Sequence, residues 1–309
     1  MINPSYRAQV DLLLQVMPHV AKEECFALKG GTAINMFIWD MPRLSVDIDL
    51  TYLPFDNRDT AMGNIAAALE RIKERIEKAI PNCTVKLVPQ SDGQETKITC
   101  QTQNAQIKIE VNTTMRGAVF VPKSMDIADA VEEEFGRFVS MSIVHEAELF
   151  GGKICAALDR QHPRDLFDVY HLFETGGITS DIMQGFIIGL LSSPRPIHEM
   201  IRPNFLDQQR AFETQFAGMS ETPFSYQDFE ATREQLVTEI NAGFTDTDRA
   251  FLLSFKNAEP DWSLFPHEKV KDLPALKWKL ANIEKLKAKN PDKHAEQLKA
   301  LVERIKNIK

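Results

Sequence analysis

No apolar run in this 309-residue chain approaches the roughly 20 residues that a helix needs to cross a bilayer. Asp11 and Pro18 stand where a secretory signal would need an unbroken apolar block, so a cytoplasmic protein with no membrane partner is expected. Cysteine is scarce. Cys25, Cys83, Cys100 and Cys155 lie far apart with no CxxC pair, which excludes a disulfide framework and a zinc cluster and leaves reduced core thiols. His145, His162 and His171 do not converge at metal-ligand spacing on one helix face, so none is assigned a ligand role. There is no internal repeat, no low-complexity tract and no helix-turn-helix with a basic recognition helix. The net charge of −8 argues against a protein that coats nucleic acid.

What is present is an ordinary globular composition, 43% hydrophobic and 26% charged, long enough for two domains or one large one. The charge is uneven. From Glu268 to the end there are twelve Lys or Arg against six Asp or Glu, a net of +6 that leaves −14 on the preceding residues. A solvated helix face explains such a basic run more simply than a nucleic-acid contact does.

The patterning splits the chain near Ser140. Pro4 to Val20 places Val10, Leu13, Leu14 and Met17 at helical spacing, and the apolar run from Cys25 to Leu28 ends at Lys29-Gly30-Gly31-Thr32. Ala33 to Trp39 reads as a short helix, Pro42 breaks it, and Val46 to Tyr52 alternates with period two as a half-buried strand does. Asn57 to Ile80 is a long amphipathic helix. Three β-like runs follow at 84–88, 96–102 and 106–112, separated by turns at Ser91-Asp92-Gly93 and Gln103-Asn104. Beyond Ser140 helical periods dominate, ending in a stripe of Leu298, Leu301, Val302, Ile305 and Ile308 that is expected to pack on its own domain. The expectation is an α+β fold: a mixed sheet with helices over 1–139, then a mostly helical domain over 140–309 with a basic C-terminal helix.

Asp47 and Asp49 are two apart on a strand, so both carboxylates leave the same face with Cα atoms roughly 6.5–7 Å apart. Two solvated acids at a strand edge is one explanation. The other is a divalent cation, because Mg²⁺ takes a carboxylate or two and completes its shell with water and phosphate oxygens. Upstream, Gly30-Gly31-Thr32 lies between a strand and a helix, where small residues let backbone N–H groups approach phosphate. Downstream, Glu110 alternates within Ile107 to Val111 and is a candidate third carboxylate, or equally the exposed face of an amphipathic strand. In the helical part Lys153 follows Gly151-Gly152, an opened helix start from which a lysine could reach a triphosphate. Lys153 and Arg160 share a helix face, while Arg164 and Asp168 sit one turn apart as an ion pair, with Asp165 at the helix start. Bracing is the simpler role for Arg160, Arg164 and Asp165.

These residues together resemble the AbiEii/MenT-type nucleotidyltransferase toxins of prokaryotic toxin-antitoxin and phage-defence systems, within the polymerase-β-like superfamily. The likeness runs through Lys29-Gly30-Gly31-Thr32-Ala33, Arg43-x-Ser45-x-Asp47-Ile48-Asp49, the Glu110 strand, Lys153 and Arg164-Asp165-x-x-Asp168, and more loosely through Glu259-Pro260-Asp261-Trp262. It implies a polymerase-β-like α/β domain joined to a helical domain that completes the active site. It also implies Mg²⁺ or Mn²⁺ held by Asp47 and Asp49, with Glu110 as a third ligand. Lys29, Gly30, Gly31, Thr32, Arg43, Ser45 and Lys153 would bind the nucleotide, and Asp47, Asp49, Lys153 and Asp168 would be the catalytic set. The implied reaction is transfer of a nucleotide from an NTP to the tRNA 3′ end, blocking translation, with a cognate antitoxin protein as partner. A protein or small-molecule acceptor, or a non-catalytic nucleotide-binding interaction module, remains open on the sequence.

Overall fold

The computed structural model describes residues 4–89 and 95–306, and the chain divides into two compact units. The first runs to His145 and takes back Phe216–Pro223; the second comprises Glu146–Gln215 and the chain from Phe224 onward.

In the first unit the elements are α1 (Pro4–Val20), β1 (Phe26–Lys29), α2 (Gly30–Ala33, continuing through a wider turn over Ile34–Ile38), β2 (Asp47–Tyr52) and α3 (Arg58–Ala79). Then come β3 (Thr84–Pro89), β4 (Glu95–Gln101), β5 (Gln106–Asn112), β6 (Lys123–Asp126), α4 (Asp129–Phe135) and β7 (Ser140–Ile143). The strands form one seven-stranded sheet in the order β3-β4-β5-β2-β1-β7-β6. β2 runs parallel to β5 and β1 parallel to β7, while β1–β2, β3–β4, β4–β5 and β6–β7 are antiparallel.

The helices form where apolar spacing and caps demand them. In α1 Val10, Leu13, Leu14 and Met17 are buried, and α1 packs on β2, β5 and β7. Asn57 caps α3 by accepting from the Thr60 N–H at 3.0 Å, and the buried stripe Ile65, Leu69, Ile72 and Ile76 lies on β3 and β4. Glu23, buried in the loop before β1, is clamped by Arg71 and Arg75 of α3. Burial alone would raise the Glu23 carboxyl, but the two guanidinium groups outweigh it and hold it below the usual carboxylate range.

The second unit is helical throughout: α5 (Glu146–Arg160), α6 (Pro163–Glu174), α7 (Ser180–Ser192), α8 (Ile197–Ile201), α9 (Gln209–Gln215), α10 (Tyr226–Gly243), α11 (Asp246–Lys256), α12 (Pro274–Lys289) and α13 (Pro291–Lys306). Its closest helix contact joins α5 to α7, where a Cβ on Gly151 would lie 2.2 Å from the Gly185 carbonyl carbon. Lys279 of α12 is buried and donates to the carbonyls of Leu190, Ser193 and Arg195, closing the C-terminal end of α7. Trp262 packs against Phe251 and Phe255 of α11, while Asp261 caps the short turn that Trp262 begins.

Two expectations change. The division falls after His145, because Ser140–Ile143 is hydrogen-bonded to both β6 and β1. Four residues alternating Ser-Met-Ser-Ile are too short to read as a strand. The basic C-terminal segment is only partly a solvated face, since Lys279 is buried and Lys287 donates to the Asn257 carbonyl. Leu301 and Ile305 are buried as expected, whereas Ile308 and the Ser91-Asp92-Gly93 turn lie outside the described residues.

Candidate active site

Alternation along β2 sends Ile48 and Leu50 into the core, both 0% exposed, and leaves Asp47 and Asp49 half-buried on the opposite face. The register fills in the neighbours on that face. Asp49 lies opposite Lys29 of β1 and Glu110 of β5, and Asp47 opposite Lys108. Burial pushes the Lys29 ammonium down from its ordinary range, and the facing Asp49 carboxylate pulls it back up.

The glycine turn and the acidic strand interlock residue by residue. Gly30 adopts a φ of +73°, which strains any residue bearing a side chain, and a Cβ there would stand 2.4 Å from Asp49 Oδ2. A Cβ on Gly31 would stand 2.6 Å from Arg43 Nη2 and 3.0 Å from Ser45 Oγ. The Thr32 hydroxyl donates to the Asp47 carbonyl and lies 2.9 Å from Ser45 Oγ. Arg43 and Ser45 are buried, and Arg43 donates to the Leu44 carbonyl at 2.9 Å. The room the glycines leave is therefore taken by the chain's own Asp49, Arg43 and Ser45. Arg43 and Ser45 brace the loop that delivers the two aspartates.

Glu110 shares the face of Asp49, but its carboxylate is ion-paired with Lys97 of β4. Among the described residues no three His, Cys, Asp or Glu side chains gather where they could hold a metal ion, so Glu110 is not brought together with Asp47 and Asp49 as a third ligand. A lysine at the matching register position on the next strand captures it first.

In the second unit Lys153 is 7% exposed, with its ammonium 2.9 Å from Asp165 Oδ1 and 2.9 Å from Asp168 Oδ2. Arg160 grips Asp165 through Nε at 2.6 Å and Nη2 at 3.0 Å. Burial alone would raise the Asp165 carboxyl; Lys153 and Arg160 overcome it and hold it well below the usual carboxylate range. The four groups form a neutral quartet in which Lys153, Asp165 and Asp168 are buried and Arg160 is exposed. Asp168 is ion-paired with Lys153 of α5, a partner that helical spacing within α6 does not announce. Nor is Lys153 at an opened helix start: it sits inside α5, and Gly151 is small in order to let α7 approach.

A family model described as nucleotidyl transferase AbiEii toxin, Type IV TA system, matches residues 11–282. The chain belongs to the AbiEii nucleotidyltransferase toxin family. Its fold matches that of the nucleotidyltransferase toxin MenT4 from Mycobacterium tuberculosis H37Rv, with a TM-score of 0.62 over 90% of this chain and 93% of that one, at 12% identity. No curated protein sequence matches it significantly.

The donor chemistry of this AbiEii-family chain suits a hard divalent cation. Its β2 face offers two carboxylates and neither thiolate nor imidazole, the set that Mg²⁺ and Mn²⁺ accept, with water and phosphate oxygens filling the remaining positions. The bare α-carbon of Gly30 keeps Asp49 Oδ2 against the turn.

Sequence reasoning missed the segment Phe216–Pro223. Leu44 N–H donates to the Met219 carbonyl at 2.7 Å, Arg43 pairs with Ser220, and Ser220 Oγ donates to the Pro42 carbonyl at 2.8 Å. This return pins the loop ahead of β2 from the far side of the sequence. No local pattern announces a contact carried by backbone groups.

Proposed function

We propose that this nucleotidyltransferase moves a nucleotide from an NTP to the 3′ end of tRNA in a reaction needing Mg²⁺ or Mn²⁺, and so blocks translation in the cytoplasm. The observation that supports this most is the interlock of Gly30, Gly31 and Thr32 with Arg43, Ser45, Asp47 and Asp49, which joins a phosphate-type turn to a pair of same-face carboxylates.

Asp47 and Asp49 would hold the metal, which when bound lowers the pKa of the attacking hydroxyl and neutralises charge on the phosphate oxygens. The acceptor 3′ oxygen bonds to the α-phosphorus as the bond to pyrophosphate breaks, and the hydroxyl proton leaves for solvent. Gly30, Gly31 and Thr32 meet the triphosphate with backbone N–H groups, and Lys29 sets a cation opposite Asp49. In the second unit Asp165 and Asp168 hold and orient the Lys153 ammonium. Most of the acceleration then comes from positioning and electrostatics. The family description names a toxin-antitoxin system, and a cognate antitoxin protein is the partner this reading supplies.

The test is to incubate the purified chain and its Asp49→Ala variant with Mg²⁺, total tRNA and each α-labelled NTP in turn. Label in RNA with the wild type alone is expected. Label in a protein band would move the acceptor, and transfer at the wild-type rate by Asp49→Ala would sink the assignment.

A further inference from the structure

Two strands from Asp49 the sheet carries an aromatic stack that the reaction above does not use. β1 lies between β2 and β7, so its C-terminal end has Asp49 on one side and the end of β7 on the other. Leu28 is in register with Ile143, and the Val144 N–H donates to the Leu28 carbonyl at 3.0 Å. His145 therefore emerges beside the point where β1 becomes Gly30-Gly31. Its ring stacks on Phe120 with centroids 5.0 Å apart and planes inclined by 16°.

Phe120 reaches that position from the opposite end of the sheet. The loop after β5 is anchored where Gly117 N–H donates to the Tyr52 carbonyl at 2.8 Å, and β6 then begins with Lys123 in register with Ile143. Both residues are half-buried, so each keeps part of its surface in solvent. With strands about 4.8 Å apart, the stack lies roughly 10 Å from β2 across the sheet. That is the scale on which a nucleotide extends from its α-phosphate to its base.

We propose that the His145–Phe120 stack is a nucleobase subsite, its occupant the base of the donor NTP. Flat, nearly parallel rings hold a base through its π-face and tolerate any of the four. The proposal rests on the reading that Gly30–Thr32 and Asp49 hold the phosphate end.

The full-length chain and its His145→Ala, His145→Phe and Phe120→Ala variants are titrated with a non-hydrolysable NTP analogue and, separately, with inorganic tripolyphosphate, which has no base. Steady-state KM values for NTP and for RNA acceptor follow. The expected result is NTP affinity weakened roughly ten- to a hundredfold in both alanine variants and restored by His145→Phe. Tripolyphosphate affinity should stay unchanged. Wild-type NTP affinity with a raised KM for the RNA would assign the subsite to the acceptor's terminal base. Wild-type values for both ligands in His145→Ala overturn the proposal. A wild-type chain that binds neither NTP nor tripolyphosphate overturns the phosphate reading beneath it.

Discussion

Gly30 turns its bare α-carbon toward Asp49, so that a methyl group placed there would stand 2.4 Å from the carboxylate oxygen Oδ2. The same residue has a φ of +73°, so the strained backbone and the close approach act together. Gly30→Ala should cost about 1–2 kcal/mol for the left-handed conformation alone, measured by urea unfolding. The effect on transfer should be larger, at least roughly tenfold in kcat/KM, because the methyl displaces the carboxylate itself. Full activity in Gly30→Ala would mean that Asp49 tolerates being moved, which a metal-holding carboxylate does not.

Lys153 and Asp168 offer a different contrast, since both are buried and each neutralises the other. Removing one partner leaves a buried charge, and losses of about 3–5 kcal/mol are typical of that change. Lys153→Met should therefore be strongly destabilised, and the double variant Lys153→Met/Asp168→Leu less so than the sum of the single losses. Activity should be absent in both. Recovery of transfer alongside stability in the double variant would reduce the quartet to scaffolding.

Asp165 fixes the sign of an acid dependence. Its folded carboxyl lies below the ordinary carboxylate value, so the stability it contributes is complete above about pH 4 and is lost as pH falls below that. Thermal melts of the wild type should show Tm falling through this window. Asp165→Asn, less stable near neutrality, should lose less on acidification over the same range. An identical slope in the two proteins would place the acid sensitivity elsewhere.

The candidate site was legible where its signal is local. Period-two alternation placed Asp47 and Asp49 on one face, whereas Arg43 and Ser45 joined them only through the resemblance to the AbiEii/MenT-type toxins. Helical spacing likewise put Lys153 and Arg160 on one face, where both reach Asp165. What stayed hidden depends on neighbours that sequence does not order. Glu110 is claimed by Lys97 because β4 happens to lie beside β5, and Asp168 turns to Lys153 because α5 and α6 fold back on each other. β7 and the return at Met219 are too short, or too dependent on backbone hydrogen bonds, to leave a periodic trace.

Gly151 and Gly152 are adjacent in α5 and should respond to alanine with opposite signs. A Cβ on Gly151 meets the backbone of Gly185 at 2.2 Å, and rigid backbone cannot step aside without parting α5 from α7. Overpacking of that kind costs about 1–3 kcal/mol or more. A Cβ on Gly152 meets nothing within 4 Å, and alanine inside a helix is favoured over glycine by roughly 0.8–1 kcal/mol. Gly151→Ala should therefore unfold at lower urea than wild type and Gly152→Ala at higher, with transfer retained in Gly152→Ala. If instead Gly152→Ala kept its stability but lost transfer, the space beside Lys153 would be serving the nucleotide, and the glycine pair would have to be assigned to chemistry as well as to packing.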